Sequence, residues 1–187
     1  VIVDCGARTA DEQQLLHRFV EGNALRLRRH LLTHAHFDHV FGAQYVYDEF
    51  GLMPEISAGE EDNYTHAAEY MQMFIHRALP FQLPPYTVSL ADGVEISVGE
   101  IFIRAISTPG HTAGGVCFYM PHQDILLSGD TIFRRSVGRT DLPGGSADAL
   151  RSSIALRILT LPHETRIYPG HGSETSVAEE SGAAYYL

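Results

Sequence analysis

Cysteine is nearly absent from this 187-residue sequence, and the two that occur, Cys5 and Cys117, lie far apart with no Cys-x-x-Cys spacing. That excludes a disulfide framework and a thiolate metal knuckle, and it fits two small buried residues in a reducing cytoplasm. Long apolar runs are also missing: each is broken by charge or glycine well short of the roughly 20 residues a membrane span needs. Basic residues are few, 13 Lys and Arg against 23 Asp and Glu, for a formal net charge of -10. With no basic run beyond pairs, a broad phosphate-binding surface is excluded, and nucleic acid with it. No repeat, linker or low-complexity tract appears, and no Gly-x-Ser-x-Gly elbow offers a serine nucleophile.

The remaining composition, 44% hydrophobic, suits one soluble domain spanning residues 1–187. The strand-like opening "VIVDC" without a methionine implies that further residues precede Val1. Thr9 with Glu12 forms a capping box before Leu15, Leu16, Phe19 and Val20, and Gly22 closes that helix. Residues 28–33 form a second strand, and Val40, Ala43, Tyr47 and Phe50 follow at helical spacing up to Gly51. "PEIS" is a short strand, after which Ser57 with Glu60 caps a helix to about Ala78. Tyr64, Tyr70, Met71, Met73 and Phe74 on that helix are read as core, with walling of the functional cleft as the alternative. From there the period changes to two: Val94 to Val98, Ile101 to Ile103, Val116 to Met120 and Ile125 to Leu127 alternate between turns. Ser146 opens a helix with Leu150, Ile154, Ile158 and Leu161 on one face, and "RIYPGHG" is a last strand.

Between the second strand and its helix stands "THAHFDH", with three histidines and an aspartate in seven residues. So many coordinating groups beside a buried strand are costly without a common partner. Three further candidates stand at strand ends beside glycine: His111 in "TPGHTAGG", Asp130 in "LLSGDT" and His171 in "YPGHG". In extended chain, residues two apart point the same way. His34 and His36 can therefore grip one metal, while Asp38 and His39, as the chain bends into helix, turn toward a second. His111 completes the first set and His171 the second, and Asp130, with two oxygens, is the natural bridge. Imidazole and carboxylate without thiolate suit Zn2+, with Fe or Mn as alternatives. The isolated His17, His30, His66, His76, His122 and His163 lack ligand spacing and are read as packing or surface residues.

"THAHFDH", "PGHT", "SGDTIF", "GRTDLPGG" and "PGHG", in this order, resemble the metallo-β-lactamase superfamily, and within it the glyoxalase II-like (hydroxyacylglutathione hydrolase-like) branch. The resemblance implies an α/β fold, a four-layer αβ/βα sandwich with the metal site at one edge between two sheets. It also implies two divalent ions, with His34, His36 and His111 on one, Asp38, His39 and His171 on the other, and Asp130 bridging. The family's opening hairpin would precede Val1, and the sequence ends at "SGAAYYL" without the C-terminal helical domain with which full-length glyoxalase II enzymes hold glutathione. Gly172, Ser173 and Glu174 stand where a tyrosine is expected, and Arg139 where the family has a lysine.

The expected activity is hydrolysis of a small-molecule thioester by a hydroxide bridging the two ions, which Asp38 orients, with no nucleic acid or membrane as partner. A persulfide dioxygenase, using one iron on His34, His111 and Asp130, is the alternative on the same scaffold, as is a lactone or β-lactam hydrolase. A metal-stabilised binding module is the non-catalytic reading. Arg134 and Arg135, in "FRRSVGR", are candidates to hold a substrate carboxylate through a bidentate guanidinium. Arg139 either joins them or pairs with Asp141 to hold its own loop.

Overall fold

The structure, a computed structural model, describes residues 1–76 and 82–182. These residues form two compact units, the first from Val1–Ile56 and from Glu61 to Ser89, the second from Ser57–Glu60 and from Leu90 onward.

The first unit alternates strand and helix: β1 (Ile2–Val3), α1 (Ala10–Gly22), β2 (His30–Leu31), α2 (Phe37–Val40), α3 (Ala43–Phe50), β3 (Pro54–Ile56), α4 (Glu61–Thr65), α5 (Ala67–Ile75) and β4 (Thr87–Val88). Its four strands pair in the order β1-β2-β3-β4, all parallel. Parallel neighbours require a crossover between them, and α1 to α5 supply it. The expected capping box holds α1: Thr9 Oγ1 accepts from Glu12 N, and the Glu12 carboxylate accepts from the Thr9 N–H. Only Val20 of α1 is buried, however, and Leu15 and Phe19 are exposed. Gly51 ends α3 in the left-handed conformation with its N–H on the Tyr47 carbonyl, which a glycine does without steric cost. Leu32, Ala35, Val40, Ala43, Ile56, Tyr64 and Ala67 make the core, so the apolar residues around "THAHFDH" anchor it from both sides. On α5, Met71 is buried as expected, whereas Met73 and Phe74 are exposed.

In the second unit, β5 (Glu95–Val98), β6 (Ile101–Ser107), β7 (Val116–Met120) and β8 (Ile125–Gly129) form an antiparallel meander. After the hairpin β9 (Ile132–Phe133) and β10 (Ser136–Val137) comes α6 (Ala147–Ser153), which continues as a π-helical turn over Ile154–Ile158. Strand β11 (Arg166–Pro169) joins β8 in parallel, β12 (Thr175–Ser176) pairs with β11, and α7 (Val177–Glu180) follows. Ser146 caps α6 as expected, and Leu150, Ile154 and Ile158 pack on Ile106, Leu126, Ile132 and Ile167.

The expected second capping box does not form. Ser57 Oγ donates to the Gly114 carbonyl, and the Glu60 carboxylate accepts the Gly114 N–H, while residues Ala58–Glu60 make a 3-10 turn. A Cβ on Gly59 would stand 2.6 Å from Gly114 Cα, and this close backbone approach redirects both side chains. The helix then breaks at His66 into α4 and α5 instead of running on. Its expected end at Ala78 lies outside the described residues.

His30 is fully buried in β2, and neither ring nitrogen has a hydrogen-bond partner among the described residues. Burial pushes its pKa down to about 4, partly opposed by the charges of Asp4 and Glu55. The native imidazole is thus neutral, while the unfolded chain takes up a proton near pH 6.5. The native advantage is complete above pH 6.5 and is lost as pH falls toward 4, amounting to about 3 kcal/mol. Urea unfolding of the metal-free protein across that range should show this slope, and His30→Leu should remove it.

Candidate metal centre

In the first unit the site begins with Asp4. It leaves β1 with φ of 49°, an unusual conformation for a non-glycine residue, and its N–H donates to the Leu31 carbonyl. Its Oδ1 accepts the Thr33 N–H at 2.7 Å, and Oδ2 accepts the Thr33 hydroxyl at 2.7 Å. Oδ2 is also 2.8 Å from His39 Nδ1. A carboxylate only accepts, so His39 carries its proton on Nδ1 and presents an unprotonated Nε2. The Thr33 hydroxyl gives its single hydrogen to Asp4, so at 3.0 Å it accepts from His34 Nδ1–H, and His34 too presents Nε2. Asp4 thereby fixes two imidazoles, one directly and one through Thr33.

The rings of His36 and His39 lie 4.8 and 4.0 Å from that of His34, and Asp38 Oδ2 is 3.9 Å from His39 Nε2. All four predicted ligands of this unit therefore gather at the point where β2 gives way to α2. His34 and His39 are buried, and His36 and Asp38 are partly exposed. The segment after Asp4 is tied to α2 by the Cys5 N–H on the His39 carbonyl at 2.9 Å. Cys5 itself is a buried free thiol.

The second unit assembles the other three. Its parallel strands β8 and β11 end together, with Gly129 beside Pro169 and the Gly170 N–H on the Gly129 carbonyl at 2.8 Å. Asp130 and His171 thus leave adjacent strand ends. Asp130 Oδ2 lies 3.5 Å from His171 Nε2 and 3.7 Å from His111 Nε2. His111 Nδ1 is 2.8 Å from the Arg139 carbonyl, an acceptor only, so this imidazole also presents Nε2. The His111 loop is held by α6: the Ser146 N–H donates to the Gly110 carbonyl at 2.7 Å, and Ser153 Oγ to the Pro109 carbonyl at 2.7 Å. Gly110 has φ of 141° and passes so close that a Cβ would lie 2.3 Å from Leu150 Cα.

Sequence reasoning missed Asp4, Thr33 and the Arg139 carbonyl as the groups that orient the imidazoles. Asp4 had a signal, since it stands after a strand and before glycine in "VDCG" as Asp130 does not far from glycine in "SGDT". A backbone carbonyl has none. Arg139 itself forms a fork with Asp141, both nitrogen–oxygen distances being 2.7 Å. That guanidinium holds the Asp141 carboxyl down at about 2. Arg134 and Arg135 form the exposed tip of the β9–β10 hairpin, and neither guanidinium makes an ion pair among the described residues. The Arg135 backbone, at φ of 57°, donates to the buried Glu180 carboxylate at 3.2 Å. Cys117 is a second buried free thiol, its pKa pushed up to about 11 by burial, which removes it as a ligand or nucleophile.

The donor sets fit divalent metal. Each set is imidazole and carboxylate, and the three imidazoles with anchored Nδ1 have the protonation that coordination through Nε2 requires. A family model described as Metallo-beta-lactamase superfamily matches residues 1–171. Hydroxyacylglutathione hydrolase GloC of Haemophilus influenzae is 32% identical over 193 residues, covering 100% of this chain and 86% of the relative. The crystal structure of TTHA1623 in a di-iron-bound form aligns with a TM-score of 0.85 and 33% identity, over 99% of this chain and 88% of that one. That of BLEG-1 B3 metallo-beta-lactamase aligns with a TM-score of 0.87 and 29% identity, over 98% and 87%.

Proposed function

The chain belongs to the metallo-beta-lactamase superfamily, and we propose that within it this protein is a thioester hydrolase with a two-metal centre. The fold is the α/β fold of that superfamily, and metal-dependent hydrolysis is the chemistry it supports. On our reading His34, His36 and His111 hold one ion, Asp38, His39 and His171 the other, and Asp130 both. The observation that carries the second ion is Asp130 Oδ2, flanked at 3.7 and 3.5 Å by imidazoles assigned to different ions. When bound, two such ions supply an acidified water and a Lewis acid for the carbonyl.

The chain's own residues do the rest. Asp4, Thr33 and the Arg139 carbonyl keep three imidazoles in one tautomer, so no reorganisation accompanies binding or turnover. Asp38, partly exposed, orients the attacking water through its carboxylate. A thiolate leaves without a protonated acid beside it, which agrees with a ligand set containing no further proton donor. Arg134 and Arg135, at their exposed hairpin tip, hold a substrate carboxylate, and Arg139 serves its loop through Asp141. The thioester reading is supported by the similarity to hydroxyacylglutathione hydrolase.

The test is a panel of a hydroxyacylglutathione thioester, a neutral acyl thioester, a lactone and a β-lactam, with protein loaded with Zn2+ or Fe2+. Thiol release should dominate, vanish with chelator and return with metal. Arg134→Ala or Arg135→Ala should raise KM for a carboxylate-bearing thioester by about tenfold and leave the neutral one unchanged. Turnover of the lactone or β-lactam alone would reject the thioester assignment.

A further inference from the structure

We propose that the first unit carries a second ligand site, a cleft between the entry to α1 and the outer face of α3 that binds a small organic carboxylate with an apolar body. The cleft has a volume of about 610 Å³, within the range of small-molecule sites, and is lined by Arg8, Gln13, Phe41, Gln44, Tyr45 and Asp48 among others. None of these is a metal ligand.

Five of the described arginines, Arg29, Arg104, Arg139, Arg151 and Arg157, are held by carboxylates, and others, Arg8 and the hairpin-tip Arg134 and Arg135 among them, are not. The Arg8 guanidinium makes no such pair among the described residues and instead lies 5.8 Å from the centre of the Phe41 ring. Its electrostatic neighbour Glu12 is already engaged, accepting the backbone N–H groups of Arg8 and Thr9 at 2.9 and 2.7 Å. The one acid lining the cleft, Asp48, accepts from the Gln44 amide at 2.8 Å.

What remains for a ligand is rich in donors: a guanidinium fork, the Tyr45 hydroxyl and the second hydrogens of the Gln13 and Gln44 amides. Gln13 spends only one, on the Ala7 carbonyl at 3.2 Å. A planar fork matches a carboxylate in two parallel hydrogen bonds, and the Phe41 face beside it accepts a planar or aliphatic body. Among the described residues Arg8 is the one cation lining the cleft and Asp48 the one acid, and because Asp48 is already engaged by Gln44, the guanidinium with the Phe41 face favours an anion that also brings apolar surface.

Benzoate is the probe, with benzamide and benzylamine as neutral and cationic matches and inorganic phosphate as the anion without a body. Binding to the metal-loaded wild-type chain is followed by amide chemical shifts in two-dimensional NMR. Benzoate should shift the resonances of residues 8, 13, 41, 44 and 45 with a millimolar or lower Kd. Benzamide, benzylamine and phosphate should each bind at least about tenfold more weakly. Arg8→Ala and Phe41→Ala should each weaken benzoate by about tenfold while thioester hydrolysis at saturating substrate persists, since neither residue holds metal or substrate. A benzoate Kd unchanged in Arg8→Ala would place the anion elsewhere, the metal centre included, and overturn the site. Benzylamine binding as tightly as benzoate would assign the cleft to Asp48 and a cation. Phosphate binding as tightly as benzoate would reduce it to an unspecific anion site. Because binding is read directly, the result stands apart from the identity of the hydrolysed substrate.

Discussion

Asp130→Asn is expected to lower metal content and turnover together, with kcat/KM falling by at least about a hundredfold, or roughly 2.7 kcal/mol of transition-state stabilisation. Asparagine keeps the size of aspartate but offers one neutral oxygen and an NH2 group that only donates. Asp130 Oδ2 stands 3.5 and 3.7 Å from two imidazole nitrogens, so an amide put there either brings N–H hydrogens toward metal or turns its single oxygen to one side. The side chain is only 12% exposed, so water cannot readily replace the lost charge. Because the substitution is isosteric, the thermal midpoint of the metal-free variant should stay near wild type. Elemental analysis and steady-state kinetics on the same preparation check this. Full metal with full turnover would remove the bridging role from Asp130.

Gly138→Ala should be more damaging to the fold than any neighbouring glycine substitution. A Cβ on Gly138 would lie 1.9 Å from the Asp130 carbonyl oxygen and 3.0 Å from His111 Nδ1. The first contact is with backbone, which cannot rotate away, so either the Asp130 strand end or the "GRTD" loop must shift, and the loop carries the carbonyl that orients His111. A loss on the order of 3–5 kcal/mol, the range of severe core disruptions, follows, together with loss of metal. Gly172, next to His171, is the control. It has φ of 82° but open space around its Cβ position, so Gly172→Ala should cost only about 1 kcal/mol of backbone strain. Urea unfolding of both variants gives the comparison, and equal losses would contradict the steric argument.

The pattern of what the sequence disclosed follows from where each interaction is made. The box of Thr9 and Glu12 is local, closed within four residues, and forms as read. Ser57 and Glu60 have the same spacing, yet both side chains go to Gly114, 57 and 54 residues away, because Gly59 and Gly114 bring two backbones together. No window of sequence contains that contact. The seven ligand candidates were legible because coordination demands particular side chains, and in "THAHFDH" four crowd one turn. Their orientation was not, since it rests on a lone carboxylate at Asp4 and a main-chain carbonyl at Arg139. Leu15 and Phe19 stand at helical spacing on α1 and are both exposed, because periodicity shows which residues share a face and not whether anything covers it. No helix among the described residues is long and apolar enough to cross a membrane, in agreement with the short apolar runs.

The central claim is that one chain holds two metal ions for hydrolysis, and the count of metal per chain tests it most directly. Protein purified without chelator, or stripped and reloaded to saturation, should carry about two equivalents of zinc, iron or manganese, and both should fall in Asp130→Asn. A reproducible single equivalent of iron, saturating and sufficient for full activity, would contradict the two-metal hydrolase and leave the mononuclear dioxygenase reading in its place.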